Sequence, residues 1–382
     1  MTRLFVLSFV AALSLIGVGA SSATADLPHY NHVFIVVLEN EDASTTFGEG
    51  TEIPYLARNL TSRGAFVPNY YATGHFSLDN YISMVSGQAP NIQTQTDCQM
   101  YTDFVPGLPA PDGQVIGSGC VYPAAVQTIA NQLENSGHAW RGYMQDMANS
   151  APAQPPSCRH PDLNSRDSTQ TATATDQYAA RHNPYVYFHS IVDSPTCQAN
   201  DVDLSTLAPD LRSERKTPDY AFITPDLCND GHDTPCADGG PGGMTQANTF
   251  LQGLIPLIMG SPAYRDRGLI IVTFDEAETD DASACCGEQP GPNTAAPGLF
   301  GGGPGGGRVG AVMLSDCIRP GTVSTEAYNH YSLLRSVEDN FGLSHLGYAG
   351  QAGLRPFGRD ILNRPGKKCK RKKHHRHHGH RR

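Results

Sequence analysis

Several common features are missing from this 382-residue sequence, and each absence argues against a class of protein. After one N-terminal stretch, no run of about 18 apolar residues occurs, so later membrane spans are excluded. The glycine-rich residues 290–307 lack the GK[ST] ending of a phosphate-binding P-loop and are typical of a flexible flap. The G-x-S-x-G elbow of esterases is absent. No two cysteines have the C-x2-C spacing of a zinc ribbon.

The N-terminus has the pattern of a secretory signal. Arg3 precedes an apolar run over residues 4–20, and Ala23-Thr24-Ala25 is a small-x-small cleavage site. The run is short for a membrane span, and no stop-transfer charges follow it. The sequence predicts a signal peptide over residues 1–25 and an exported chain that is secreted or associated with the cell envelope. A retained membrane anchor is the alternative.

Ten cysteines lie beyond this signal, and an even number in an exported chain favours disulfides. Up to five bridges are expected, and their connectivity is left open. Residues 98–120, 150–177 and 228–243 are rich in Pro, Gly, Asn and Asp, which predicts surface loops held by disulfides. Adjacent cysteines rarely bond each other, so we expect Cys285 and Cys286 to tie one loop to two places.

Charge divides the sequence into two unequal parts. Residues 26–366 contain seventeen basic and thirty-seven acidic residues, a net charge of about -20, whereas residues 367–382 contain nine Lys or Arg, five His and no acid. We expect a single catalytic domain over residues 26–364 and a disordered basic, His-rich tail over residues 365–382. Contact of the tail with polyanions of the cell envelope is one candidate role, and no specific nucleic-acid partner is expected.

Apolar runs alternate with helix-like segments, which predicts an α/β fold with a mostly parallel central sheet flanked by helices. Strands are expected at residues 32–38, 138–144, 185–189, 220–224, 268–274 and 309–314. Helices are expected at residues 54–63, 78–85, 124–135, 245–259 and 330–341, with a kink or break at Pro256. The runs 32–38 and 268–274 are apolar throughout, as in strands that are buried on both faces.

Both of these buried strands end in polar pairs. Glu39-Asn40 follows the first and Asp275-Glu276 follows the second. Ligands of an open parallel sheet lie beyond the carboxyl ends of its strands, so the two pairs are expected at one edge. Three carboxylates in one place repel each other, and a divalent cation such as Mg, Ca, Mn or Zn would relieve that repulsion. Ordinary polar residues at the water-facing ends of strands are the alternative interpretation.

Ser77 lies just ahead of a predicted helix. A purely structural interpretation is that Ser77 is the N-cap of this helix. The functional interpretation uses the same position, because a hydroxyl at a helix N-terminus lies where anions bind. Serine needs an adjacent base or a metal to become a nucleophile. His75 and Asp79 are close in sequence, but metal activation fits the residues better than a Ser-His-Asp triad.

Three further histidines, His182, His232 and His330, lie in polar segments that are expected to be exposed. Such histidines are most often surface residues. Near an anionic substrate, a histidine can donate hydrogen bonds to phosphate oxygens or protonate a leaving group.

Six blocks of the sequence, in order, resemble a known family of phosphoesterases. They are HVFIVVLEN with a following FG, GHFSLDNYISMVSG, RHNPYVYF, FITPDLCNDGHD, LIIVTFDEAE and YNHYSLLRSVEDNFGLSHLGYA. The family includes secreted bacterial and fungal acid phosphatases and phospholipases C, and it is a branch of the alkaline-phosphatase-like superfamily.

The resemblance implies roles for particular residues. Glu39, Asn40, Asp275 and Glu276 would hold the metal, Ser77 would be the nucleophile, and His75, His232 and His330 would surround the phosphate. The family pattern often has Asp in place of Glu276, and proline in place of Phe76 beside the serine.

The function expected from this resemblance is that of a secreted, metal-dependent acid phosphatase, which acts on monoesters through a phosphoserine. Its substrate would be a phosphorylated small molecule or a phospholipid headgroup. A phospholipase C-type phosphodiesterase and a non-catalytic secreted protein that binds metal or envelope are the alternatives. A sulfatase is disfavoured, because neither C-x-P-x-R nor S-x-P-x-R occurs.

Overall fold

The computed structural model describes residues 27–150, 155–278, 280–298, 302–364 and 369. The predicted signal peptide and all of the predicted tail except Cys369 lie outside this range. The strands are β1 (His32–Leu38), β2 (Ala65–Val67), β3 (Tyr70–Tyr71), β4 (Met100–Tyr101), β5 (Val105–Pro109), β6 (Val115–Ser118), β7 (Trp140–Met144), β8 (Ser165–Arg166), β9 (Asp201–Asp203), β10 (Tyr220–Thr224), β11 (Gly268–Phe274), β12 (Ala311–Leu314), β13 (Thr322–Val323) and β14 (Tyr328–Asn329). The α-helices are α1 (Ala43–Phe47), α2 (Thr61–Arg63), α3 (Ser77–Ser86), α4 (Ile129–Asn135), α5 (His189–Val192), α6 (Pro195–Asn200), α7 (Leu207–Asp210), α8 (Gly243–Met259), α9 (Pro262–Arg265) and α10 (His330–Phe341).

A central sheet organises the part of the chain that the structure describes. Its eight strands lie in the order β13-β2-β12-β11-β1-β10-β7-β9. The pairs from β11 to β9 are all parallel, and β12 runs antiparallel to both β11 and β2. Helices flank the sheet, so the predicted α/β class with a mostly parallel sheet is confirmed.

The two apolar strands lie at the centre of the sheet because both of their faces are covered. Every residue of β1 and β11 is buried. The two strands pair in parallel, from His32 opposite Gly268 to Leu38 opposite Phe274. The backbone N–H of Asp275 then donates to the carbonyl of Leu38 at 2.9 Å, so both polar pairs leave the sheet side by side.

Three predicted elements differ from the structure. Residues 185–189, predicted as a strand, instead form a 3-10 helix over Pro184–Tyr187 and the first residue of α5. Proline at the first position presets a helical φ, and Phe188 keeps only an isolated parallel bridge, to Tyr122. Helix α4 begins only at Ile129, because Thr128 caps it with its side chain. Helix α8 continues through Pro256, whose side chain faces solvent while Ile255 and Ile258 are buried.

Disulfides join Cys98–Cys120, Cys158–Cys197, Cys228–Cys236, Cys285–Cys286 and Cys317–Cys369. The first three hold the irregular loops, as predicted. The expectation for Cys285 and Cys286 was wrong, since the two bond each other. The backbone turns at Cys286, where φ is +72°, and this turn brings the neighbouring side chains together.

Among the helices of the described residues, none has the length and apolar character needed to cross a bilayer.

Candidate active site

Ser77 is the first residue of α3 and does not cap it. Phe76 occupies the N-cap position with φ of 78°, and its own side chain makes no capping hydrogen bond. The predicted capping role of Ser77 was therefore wrong. The Ser77 side chain is almost completely buried, and its Oγ donates a hydrogen bond to Glu39 Oε2 at 2.7 Å. Helix α3 thus directs a hydroxyl at the carboxylate that follows β1.

Helix α3 holds Glu39 at two points. Tyr81, one turn after Ser77, donates a hydrogen bond from its hydroxyl to Glu39 Oε1. Residues four apart lie on the same face of a helix, which explains why Ser77 and Tyr81 reach the same carboxylate. Burial, followed by the charges of Asp275 and Asp230, raises the pKa of Glu39 well above its ordinary value.

Asp275 is completely buried at the end of β11. Its Oδ1 accepts hydrogen bonds from the backbone N–H groups of Asn40 and Glu276, at 3.0 and 2.7 Å. Within the described residues, Asp275 Oδ2 and Asn40 Oδ1 are buried without a hydrogen-bond partner. A buried oxygen without a donor is costly, so these two atoms mark a place that suits a cation.

Glu276 faces a different neighbour. Its Oε2 contacts the His75 ring and accepts the backbone N–H of Phe76 at 3.0 Å. The other ring nitrogen of His75, Nε2, lies 3.1 Å from the carbonyl oxygen of Asp281. Burial, and then Asp275, raises the pKa of Glu276 well above its ordinary value. Glu276 and His75 therefore fix the loop that leads into Ser77.

His330 is buried, although its segment was predicted to be exposed. The first turn of α10 packs beneath the end of β11, so the His330 Nε2 lies 2.6 Å from the Asp275 carbonyl oxygen. Its Nδ1 lies 3.1 Å from the hydroxyl of Tyr70. Burial lowers the pKa of His330 to about 4. Because both nitrogens have protein partners, His330 is placed to hold the Asp275 backbone.

His232 differs from His75 and His330, which are buried, because its side chain is 51% exposed. Its Nδ1 lies 3.6 Å from Asp233 Oδ1, and its backbone N–H donates to Asp230 Oδ1 at 3.0 Å. His232 therefore lies at the rim of the site, on the loop after β10, where a substrate could reach its ring.

Two residues that were not among the predicted site residues join the cluster. His182, also predicted to be exposed, is buried, and its Nε2 lies 3.4 Å from Glu39 Oε2. Its ring stacks on Tyr81, with 5.4 Å between centroids. Asp230 accepts the backbone N–H of Glu39 at 2.9 Å through its carbonyl, and its Oδ2 lies 4.0 Å from His182 Nδ1.

A sequence signal existed for both residues. Asp230 follows β10, which pairs directly with β1, so the rule that selected Glu39 applies to it once the strand order is known. His182 lies in the block RHNPYVYF, but it was predicted to lie in an exposed polar segment just before a short strand. Neither ring nitrogen of His182 has a hydrogen-bond partner among the described residues, and neither has Asp230 Oδ2.

Arg181 brings a positive charge close to the carboxylates. Its Nε lies 3.8 Å from Asp97 Oδ2, while Asp97 Oδ1 accepts the backbone N–H of Leu78 at 3.0 Å. The arginine is therefore linked through one carboxylate to the residue after Ser77. It is a candidate for contact with an anionic substrate.

The donor set fits a hard divalent cation. Asn40, Asp230 and Asp275 each have a buried side-chain oxygen without a partner in the described part of the chain. Oxygen ligands of this kind suit Mg, Ca or Mn, and Zn also accepts carboxylates. Two clusters of described residues have three potential ligand atoms within 4.8 Å of one another, Cys158–Cys197 with Asp201 and Cys228–Cys236 with Asp238, but their sulfurs are disulfide-bonded and offer no thiolate.

A solved structure that aligns with a TM-score above 0.5 supports the fold. The crystal structure of Ps i-CgsB aligns over 88% of this chain and 77% of its own, with 12% identity and a TM-score of 0.51. A protein in the alkaline phosphatase superfamily from Vibrio parahaemolyticus aligns over 88% of this chain and 74% of its own, with 13% identity and a TM-score of 0.48.

Sequence relatives carry phosphatase names. A probable acid phosphatase of Kluyveromyces lactis is 28% identical over 83% of this chain and 60% of its own length. An acid phosphatase of Aspergillus fumigatus is 26% identical over 83% of this chain and 56% of its own length. A phosphatidylinositol-3-phosphatase of Mycobacterium tuberculosis is 25% identical over 90% of this chain and 87% of its own length. The chain thus spans only 56–60% of the length of these two fungal relatives.

The model of the Phosphoesterase family matches residues 49–344, which is most of the chain. The resemblance stated from the six sequence blocks is therefore confirmed at the level of the family. This protein belongs to the Phosphoesterase family.

Proposed function

We propose that this protein is a secreted, metal-dependent acid phosphatase that hydrolyses phosphate monoesters through a phosphoserine intermediate. The observation that carries the proposal is the 2.7 Å hydrogen bond from Ser77 Oγ to Glu39, at the start of α3 and at the carboxyl edge of the sheet. The acid phosphatase and phosphatidylinositol-3-phosphatase relatives support the choice of substrate class. The disulfides support export, since they persist in oxidising compartments.

Ser77 is the nucleophile in this proposal. The N-terminus of a ten-residue helix attracts the phosphate, and Glu39 accepts the hydrogen of the hydroxyl. A divalent cation bound by Asn40, Asp230 and Asp275 would favour the ionised hydroxyl and offset charge on the phosphate oxygens. Arg181 and His232, at the rim of the site, would interact with the negative charge on the other phosphate oxygens of the substrate.

The reaction has two steps with balanced protons. Ser77 Oγ forms a bond to phosphorus while the bond from phosphorus to the alcohol oxygen breaks, and His232 donates a proton to the departing alcohol. Water next gives a proton to His232 and forms a bond to phosphorus, the bond to Ser77 Oγ breaks, Ser77 Oγ takes back the proton that Glu39 accepted in the first step, and free phosphate leaves. Phosphoryl transfer depends mainly on placement and on neutralisation of charge, which this set of groups supplies.

Ser77 is tested by replacement. Ser77→Ala should abolish turnover of p-nitrophenyl phosphate and leave the thermal unfolding midpoint within about 3 °C, because it removes one hydroxyl. Ser86→Ala is the matched control, since Ser86 ends the same helix and its hydroxyl makes local bonds, to the Ile82 carbonyl and to the Gln88 backbone N–H just beyond the helix. Activity of Ser77→Ala within tenfold of the wild type would remove Ser77 from this role.

Metal dependence and ester preference need separate measurements. Exhaustive chelation should abolish turnover, and titration with single metals should restore it. Undiminished turnover of the metal-free protein would contradict the proposed role of a cation.

Ester preference is tested with a panel of p-nitrophenyl phosphate, bis(p-nitrophenyl) phosphate and phosphatidylcholine, which should show a strong preference for the monoester. Preference for either diester would favour a phospholipase C-type phosphodiesterase.

A further inference from the structure

A small polar cavity lies outside the cluster around Ser77, and we call it the Arg159 cavity. Its volume is about 170 Å³. Pockets for whole small molecules begin at roughly 300 Å³, whereas one water molecule takes up ~30 Å³ of the liquid. The lining consists of two arginines, one histidine, three hydroxyl side chains, one carboxylate and one proline. The cavity therefore has the right size for one polar group with several oxygens.

Hydrogen-bond donors outnumber acceptors in this lining. Arg159 and Arg166 can only donate, and Asp162, when ionised, can only accept. Residues 26–366 contain thirty-seven acidic residues and only seventeen basic ones, so two arginines at one small cavity are not expected from composition alone. Asp162 is exposed, and water and salt screen its repulsion of an anion. An excess of donors favours a ligand that only accepts hydrogen bonds, which is the property of an oxyanion.

Arg159 is held in place by its neighbours. Its side chain is 5% exposed, and its Nη1 and Nη2 donate to the two carboxylate oxygens of Asp176 at 3.0 and 2.6 Å. The guanidinium also lies over the ring of Tyr178, with 5.0 Å between Cζ and the ring centroid. All of its hydrogen bonds to described residues come from Nη1 and Nη2, so its Nε–H is available to a ligand. Because Asp176 offsets the charge of Arg159, Arg166 is the main source of attraction for an anion.

Three more side chains of the lining have groups available to a ligand. Arg166 and Ser168 are exposed, and neither side chain makes a hydrogen bond to a described residue. His160 stacks on Tyr101, with 5.5 Å between ring centroids, and its Nδ1 lies 2.9 Å from the carbonyl oxygen of Pro161. A proton on Nδ1 satisfies this contact, so a second proton on Nε2 would make the ring a donor to an anion.

Short contacts connect the Arg159 cavity to the proposed active site. Thr169 lines the cavity, and its Oγ1 accepts the backbone N–H of Ala180 at 2.8 Å, just before Arg181. The carbonyl of Gln170 accepts a hydrogen bond from Arg181 Nη1 at 3.3 Å. Gln170 Nε2 donates to the carbonyl of Asp97 at 2.7 Å, and Asp97 in turn accepts a backbone N–H from the first turn of α3. One set of hydrogen bonds therefore holds both a wall of the cavity and Arg181.

We propose that the Arg159 cavity is a subsite for an oxyanion, that is, for one phosphate, sulfate or carboxylate group. Arg166 supplies charge, Arg159 supplies a fixed N–H, and the hydroxyl and imidazole groups of the lining complete the set of donors. A second anionic group on the substrate presents this chemistry, and so does a free ion in solution. The kinetic experiment separates these two sources. Its outcome rests on the proposed function, whereas the binding of the anion does not.

Binding is tested by equilibrium dialysis with radiolabelled sulfate, which requires no activity. The wild type should bind one more equivalent of sulfate per chain than the double variant Arg166→Met with His160→Phe. Both replacements remove a donor, while the phenyl ring keeps the stack on Tyr101 and Arg159 keeps its ion pair. Arg58→Met is the matched control, because Arg58 is an exposed arginine elsewhere in the chain, and it should bind as many equivalents as the wild type. Equal binding by the wild type and the double variant would overturn the subsite.

A loss of binding counts only in a folded protein. The unfolding midpoint of the double variant should lie within about 3 °C of the wild type, because neither replaced side chain is fully buried. Arg166→Met alone changes only an exposed side chain, and it should weaken sulfate binding at least fivefold. Unchanged sulfate affinity in this single variant would count against the subsite.

The source of the anion is tested with bisphosphates of linear diols, from two to eight carbons long, against the matching monophosphates. If the second group of the substrate fills the cavity, at least one bisphosphate should have a KM at least tenfold below that of its monophosphate, and the double variant should lose this difference. If a free ion fills the cavity, no length should have an advantage, while the extra equivalent of sulfate persists. An advantage that the double variant keeps would place the second phosphate elsewhere and count against the cavity. Absence of turnover with intact sulfate binding would count against the proposed function alone.

Discussion

At the residue scale, the histidines of this site show that one residue type takes different roles from one position to the next. His330 and His75 have both ring nitrogens engaged by protein groups, whereas His232 is half exposed at the rim. His182 lies against Glu39 and Tyr81 with neither nitrogen bonded within the described residues. In the proposed mechanism His75 and His330 therefore position other groups, and His232 exchanges a proton with the substrate.

A positioning role for His330 and a general-acid role for His232 predict different kinetic effects of mutation. His330→Gln should lower kcat about tenfold and leave the shape of the pH profile unchanged, because a ring with a pKa of about 4 is neutral from pH 5 to pH 8. His232→Gln should slow an alkyl phosphate about a hundredfold and p-nitrophenyl phosphate much less, since p-nitrophenolate leaves without a proton. Steady-state kinetics with both substrates check this. An equal loss on both would exclude His232 as the general acid.

At the scale of elements, a glycine-rich segment supports the loop that leads into Ser77. Gly306 donates its N–H to the Ala72 carbonyl and accepts the N–H of Ala277, so it bridges the ends of β3 and β11. The predicted flap at residues 290–307 therefore lies beside the Asp275 end of β11, in the parts that the structure describes. Its backbone approaches so closely that a Cβ on Gly306 would lie 1.9 Å from the Gly74 carbonyl oxygen.

This close approach predicts a strong effect of one methyl group. Gly306→Ala should move the loop before Ser77, lower kcat by at least tenfold and reduce the unfolding midpoint by several degrees, because a backbone atom blocks the added carbon. Gly253→Ala is the control, and it should change the stability of the fold in the opposite direction. Gly253 lies within α8 with nothing within 4 Å of its Cβ position, so alanine there should stabilise by about 0.5–1 kcal/mol. Calorimetry and kinetics together check the pair, and an unimpaired Gly306→Ala would show that the segment does not support the site.

At the scale of the whole molecule, buried carboxyl groups make stability depend on pH. Burial raises the pKa of Glu338 to about 9, of Asp201 to about 7 and of Asp226 to about 6. A carboxyl whose pKa is raised by folding binds its proton more tightly in the folded state. Its favourable contribution is therefore complete below the unfolded pKa and is lost as the pH rises through the folded pKa.

The expected result is a fold that is more stable in mild acid than in mild alkali. The unfolding midpoint should fall by several degrees between pH 5 and pH 9, and Glu338→Gln should flatten part of that slope, because an amide has no proton to lose. Glu338 accepts the Leu346 N–H through Oε1, a bond that glutamine can keep. Scanning calorimetry in buffers of equal ionic strength checks the slope. A midpoint that rises with pH would contradict the sign.

The central strands of the sheet, the polar pairs that follow them and Ser77 could be identified from the sequence alone. Continuous apolar runs can be stable only when both faces are covered, so β1 and β11 were identifiable as central strands, and the polar pairs that follow them had to share an edge. The sequence likewise selected Ser77, because a helix start beside that edge is a local pattern.

Tertiary structure decided which side chains meet at that edge and what each one does. Asp230 joined the site because β10 pairs with β1, a neighbour relation that no local pattern contains. His182 was buried by stacking on Tyr81, and His330 by packing beneath Asp275, so exposure could not be read from polar neighbours in sequence. Local propensity reports on the nearest few residues, whereas burial and the partners of a polar atom depend on segments that lie far away in the sequence, 55 residues away for His330 and Asp275.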